Sequence, residues 1–151
     1  MAHVGFLGTG HIAAPMARAL ATRGHSVIVS RRNETVSAAL AREHDSISVA
    51  DNQEVLDHSD VVILSLRAQV AQEVLPRLAF RSDQTLISVM AGVTLAELAE
   101  FCAPTIHISL TIPFPLSRQA AARCRSFPPR PSLRRCLVQK IRSTQFRLRS
   151  R

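Results

Sequence analysis

Gly8-Thr9-Gly10-His11-Ile12-Ala13 follows the apolar run "HVGFL" and precedes an alanine-rich stretch. The spacing is G-x-G-x-x-A. At such a turn, backbone amides can approach an anion closely and the N-terminus of a following helix attracts it. Gly8 is expected to make the tight turn and Gly10 to admit a pyrophosphate. Ala13 is expected where helix meets strand. About 20 residues on stands Ser30-Arg31-Arg32. An NAD-binding domain commonly carries an acid at this place for the ribose 2′-hydroxyl. Residues 30–32 hold none. A hydroxyl and two guanidinium forks suit a 2′-phosphate instead. The expected ligand is therefore NADP(H), with NADPH preferred over NADH.

These residues need a scaffold that brings strand ends together, and the hydrophobic pattern supplies one. Strands are expected at 3–8, 26–30, 46–50, 60–66, 84–90 and 105–110. Helices are expected at 11–23, 34–43, from 51 or 52, at 68–78 and at 94–102. Gly24 should close the first helix, and Asn33 and Thr94 should cap the second and last. Pro15 sits about one turn into the first helix or marks a later start. Strand–helix alternation of this kind predicts an α/β fold, a Rossmann-type doubly wound parallel sheet.

Composition divides the chain in two. It has 151 residues, a formal net charge of +8 and only 4% aromatic residues. Residues 1–116 contain all 11 acids and all five glycines, with 8 basic residues, for a net charge of −3. Residues 117–151 contain 11 basic residues and no acid. The expected organisation is a dinucleotide-binding domain over 1–116 and an irregular Arg-rich tail over 117–151. "PPRP" at 128–131 interrupts any continuous helix there. Three readings of the tail stand: coding sequence in a shifted frame, which is preferred; a disordered extension; or a basic arm binding nucleic acid nonspecifically. Cys102, Cys124 and Cys136 lack CxxC spacing, so reduced thiols and no metal site are expected. No signal peptide or membrane span is read, and a cytoplasmic location is expected.

"GFLGTGHIAAPMA", "SRR", "DN" at 51–52, "DVVILSLRAQ" and "LISVMAGVTLAEL" occur in that order over residues 3–116. Together they resemble the N-terminal domain of the pyrroline-5-carboxylate reductases. "PMA" at 15–17 is also similar to the β-hydroxyacid dehydrogenases, the alternative family. The first resemblance implies four cofactor-binding patches. They are Gly8 to Ala13; Ser30, Arg31 and Arg32; Asn52 near the adenosine ribose; and Ser65, Leu66, Arg67 and Ala68 with Met90, Ala91 and Gly92 near the nicotinamide. It also implies hydride transfer to a small imine or carbonyl substrate. A helical C-terminal domain that completes the substrate pocket and the homodimer is implied too, and this chain is expected to lack it. The family's Lys-Pro after the fourth strand is Arg67-Ala68 here, and only Pro113 survives of its later Arg-Met-Pro-Asn segment.

No catalytic residue is assigned. His107, expected on the last strand near the ligand edge, is read as structural, because a lone histidine on an apolar strand usually is. A non-enzymatic NADPH sensor with a nucleic-acid-binding tail stands as the rival from another class.

Overall fold

A computed structural model describes residues 2–111. The expected boundary at 116 and the tail lie outside the described residues. Six strands form one sheet: β1 (His3–Leu7), β2 (Ser26–Ser30), β3 (Ile47–Ala50), β4 (Val61–Leu64), β5 (Thr85–Ser88) and β6 (His107–Leu110). Their order is β3-β2-β1-β4-β5-β6, and every pair is parallel. The helices are α1 (Ala13–Ala21), α2 (Glu34–Glu43), α3 (Asn52–Asp57), α4 (Ala68–Val74) and α5 (Leu95–Phe101). This is the expected doubly wound sheet. The chain runs outward from β1 to β3, then returns to β4 on the other side of β1. That reversal opens a crevice at the carboxyl ends of β1 and β4.

Side-chain alternation along the strands feeds two cores. Val4 and Phe6 of β1 and Ile63 of β4 join Ala13, Ala17 and Leu40 from α1 and α2. Leu7 and the β4 residues Val62 and Leu64 join Val55, Leu56, Ala71 and Leu98 from α3, α4 and α5. A continuous apolar run such as "VVIL" is thus divided between both faces, as a central parallel strand requires.

Local chemistry fixes the element ends. Gly24 stands at φ +79°. Its amide bonds to Ala21 O at 2.9 Å, and the His25 amide bonds to Leu20 O at 3.2 Å, a Schellman closure. Thr94 forms a capping box with Glu97: its hydroxyl accepts the Glu97 amide at 3.3 Å, and its own amide donates to Glu97 Oε2 at 2.7 Å. Asn33 holds the expected place before α2 without a side-chain cap bond.

Two helices differ from expectation. The first begins at Ala13, two residues late, which puts Pro15 in the first turn where a missing N–H is tolerated. The expected helix over 68–78 ends at Val74 and tightens into a 3₁₀ turn over Leu75–Arg77. Pro76 cannot donate to a carbonyl one turn back, so the α-ladder stops there.

The segment after that turn is tied down by polar side chains. Gln53 exchanges two bonds with the Ala79 backbone, at 3.1 and 2.9 Å. Arg81 donates to the carbonyls of Leu56, Asp57 and Ser59. Fully buried Gln84 donates to Leu56 O and Ser59 O. The carbonyls at the end of α3 are thereby satisfied where the helix itself cannot satisfy them.

Candidate functional site: a nucleotide crevice at the carboxyl edge of the sheet

The turn from β1 into α1 sits over the reversal of strand order. Gly8 has φ +94°. A Cβ at Gly8 would lie 2.4 Å from Ser65 O and 3.0 Å from Leu66 Cδ2. Only glycine fits, because the turn passes directly against the end of β4. Gly10 differs: nothing lies within 4 Å of the place its Cβ would take. The first bond into α1 runs from the Ala14 amide to Gly10 O at 3.0 Å. The amides just ahead of it belong to the helix start, which favours an anion. Ala13 is fully buried, while His11 and Ile12 are exposed.

The residues of the four expected patches lie along this edge of the sheet. Ser65 and Leu66 border the place a Cβ at Gly8 would take, as above. Ala68 Cβ is 4.0 Å from the place a Cβ at Gly92 would occupy, so the ends of β4 and β5 adjoin. Arg67, Ala91 and Gly92 are exposed, Ser65, Leu66 and Ala68 partly so, and Met90 is buried. On the other side, the Arg31 amide bonds to Ala50 O at 3.0 Å and draws the end of β2 to the end of β3.

Arg31, Arg32, Glu34, Asp51 and Asn52 line an open cavity of about 550 Å³. Arg31 Nη1 lies 3.9 Å from Asp51 Oδ1, and both side chains are largely exposed. Glu34 and Asp51 were not among the expected site residues. Their signal was an acid at each helix start after β2 and β3, which reads first as a capping preference.

Ser30 and Thr9 are not in that cavity. Ser30 is fully buried, and its Oγ accepts the Gly8 amide at 2.9 Å. The Thr9 hydroxyl donates to Ser30 O at 2.7 Å, and Thr9 is 3% exposed. His107 also departs from expectation. It opens β6 and pairs with Thr85, the first residue of β5. It therefore lies at the amino edge of the sheet, opposite the crevice. The strand starts at 107 rather than 105, which places the histidine at its beginning.

Other features do not add to the site. Among the described residues no group of His, Cys, Asp and Glu could hold a metal, and no helix is long and apolar enough to cross a membrane. Burial pushes the Cys102 thiol up to about 12, which keeps it protonated and unreactive. Cys124 and Cys136 lie outside the described residues. A second depression, lined by Leu95, Ala99, Ile106 and Ile108, lies beside β6 and has no ionisable side chain.

Known proteins match this arrangement. The family described as NADP oxidoreductase, coenzyme F420-dependent, matches residues 3–92. A pyrroline-5-carboxylate reductase of Glycine max is 34% identical over 105 residues, covering 65% of this chain and 38% of that protein. The 1-pyrroline-5-carboxylate reductase of Streptococcus pyogenes superposes with a TM-score of 0.64 at 26% identity, covering 82% of this chain and 53% of that one. The 3-hydroxyisobutyrate dehydrogenase of Mycobacterium tuberculosis, with a TM-score of 0.60 at 23% identity over 73% of this chain and 39% of that one, shares the fold. The chain spans about two-fifths of the length of the curated relatives it matches. It belongs to the family of NADP oxidoreductases described as coenzyme F420-dependent, a family of pyridine-nucleotide oxidoreductases, and its Rossmann domain is of the kind found in pyrroline-5-carboxylate reductases.

Proposed function

We propose that this domain binds NADP(H) and presents it for hydride transfer to a small C=N or C=O substrate, as part of a pyrroline-5-carboxylate-reductase-like enzyme. The observation that carries the reading is the cavity at the ends of β2 and β3. It holds two guanidinium groups, Arg31 and Arg32, beside two carboxylates, Glu34 and Asp51, and no acid stands at 30–32, where the NAD-type acid is expected. A 2′-phosphate is attracted there, where an NAD-type acid would repel it.

The residues present fit such a ligand. The open space in front of Gly10 leaves room for a pyrophosphate beside the first amides of α1. Asn52 lines the same cavity as the arginines and is assigned to the adenosine ribose. Ser65 to Ala68 and Met90 to Gly92, at the ends of β4 and β5, are assigned to the nicotinamide half. When bound, the cofactor supplies the hydride; the protein supplies binding, orientation and electrostatics. The substrate pocket and the dimer contacts are assigned to the portion of the relatives that this chain does not span.

The test is to add NADPH to the 151-residue chain and follow both binding and oxidation with pyrroline-5-carboxylate present. Saturable binding with little turnover is expected. Absence of saturable binding overturns the cofactor assignment. Robust turnover overturns the assignment of the substrate pocket to residues beyond this chain.

A further inference from the structure

We infer that Ser30 is a positioning residue for the glycine loop and not a ligand of the 2′-phosphate, an inference that rests on the nucleotide-binding reading above. Its neighbours in sequence invite the opposite conclusion, since a hydroxyl beside two arginines suits a phosphate. The geometry separates them. Arg31 and Arg32 line the open cavity, whereas Ser30 is 0% exposed. A fully buried side chain offers a ligand no surface to touch.

The Ser30 bonds also point elsewhere. Its Oγ accepts the Gly8 amide at 2.9 Å. Its carbonyl accepts the Thr9 hydroxyl at 2.7 Å. Both bonds are buried and join the last residue of β2 to the turn that follows β1. That turn is already pressed on its other side by Ser65 O, 2.4 Å from the place a Gly8 Cβ would take. The loop is therefore held between β2 and β4. Removing Oγ leaves the Gly8 amide a buried donor without its partner. The loop then relaxes, and the amides that follow it shift away from the pyrophosphate position.

Loss of the tie should affect every dinucleotide, because pyrophosphate is common to all of them. The test measures dissociation constants of NADPH and NADH for the wild-type chain, Ser30→Ala, Ser30→Thr and Thr9→Val. Gly8 amide hydrogen exchange is followed in the nucleotide-free chains. Ser30→Ala is expected to weaken both nucleotides by a common factor of about 5 to 30, the range of a lost buried hydrogen bond. Ser30→Thr keeps the hydroxyl and should restore most of the affinity. Thr9→Val should weaken both nucleotides together by a smaller factor, and it serves if Ser30→Ala does not fold. Gly8 exchange should be slow in wild type and faster in Ser30→Ala.

Loss of NADPH affinity alone in Ser30→Ala would overturn the inference and restore Ser30 as a phosphate ligand. Unchanged affinity for both, or fast Gly8 exchange in wild type, would overturn it as well. Slow wild-type Gly8 exchange with neither nucleotide bound would instead uphold the tie and overturn the nucleotide-binding reading.

Discussion

At the β1–α1 turn, Gly8 stands at φ +94°, its Cβ position is filled by Ser65 O, and its amide is held by buried Ser30. At the ends of β2 and β3, Arg31 and Asp51 have side chains 57% and 76% exposed and lie 3.9 Å apart. The first region is fixed by backbone and packing before any ligand arrives. The second is an adjustable arrangement of opposite charges in water. A rigid cradle recognises what all dinucleotides share, while exposed charges discriminate between them and respond to salt. Under the function proposed above, the two regions would answer different questions: whether a nucleotide binds, and which one.

The sharpest way to break this division is within the glycine motif itself. Gly8→Ala should destabilise the fold by about 2–4 kcal/mol, through the positive φ and the clash with Ser65 O. Thermal unfolding in the absence of ligand reads it. Gly10→Ala, with open space around the added methyl, should leave stability within about 0.5 kcal/mol of wild type and weaken NADPH and NADH together. Equal destabilisation by both substitutions would remove the distinction between a glycine needed by the fold and one needed by the ligand.

The next effect belongs to the charged cavity. Replacing both Arg31 and Arg32 by Ala should cost NADPH about 10- to 100-fold in affinity, the range for lost charge-assisted hydrogen bonds, and change NADH little. Parallel titrations check it, and a common loss for both nucleotides would mean that the arginines shape the fold. A smaller effect is expected at Asp51. It competes for Arg31 from 3.9 Å, so Asp51→Asn should raise NADPH affinity by up to about fivefold, in line with an exposed ion pair. Added salt should narrow that difference.

Much of this architecture was legible in the sequence, for identifiable reasons. The strand–helix alternation, the Gly24 stop and the Thr94 cap each rest on local chemistry within a few residues, and each is present. The break after Val74 has a local signal in Pro76, but the helix expected over 68–78 runs through it. Ser30 was a different matter. Its partners, Gly8 and Thr9, are more than 20 residues away, and burial of a polar side chain at a strand end has no local signature. His107 was misplaced because the sequence does not give the register between strands: it pairs with Thr85, the first residue of β5, which sets it at the amino edge.

The smallest predicted effect is a control distant from both regions. Thr94→Ala should cost about 1 kcal/mol of stability through the lost cap and leave the NADPH-to-NADH affinity ratio unchanged. The Thr94 amide and hydroxyl hold the Glu97 carboxyl below its usual range. The stabilisation from that contact is present above the ordinary carboxylate range and is lost as pH falls through the lowered folded value. Acid titration should narrow the gap between wild type and Thr94→Ala only by the share of the hydroxyl bond to Glu97 Oε2. The cap bond from the Glu97 amide persists at low pH, and the backbone amide of residue 94 is common to both chains.

The most direct measurement is a pair of titrations of the wild-type chain with NADPH and NADH in the same low-salt buffer. The charged cavity predicts tighter NADPH binding by about tenfold or more. An NADH affinity equal to or better than that of NADPH would contradict the assignment of Arg31 and Arg32 to a 2′-phosphate.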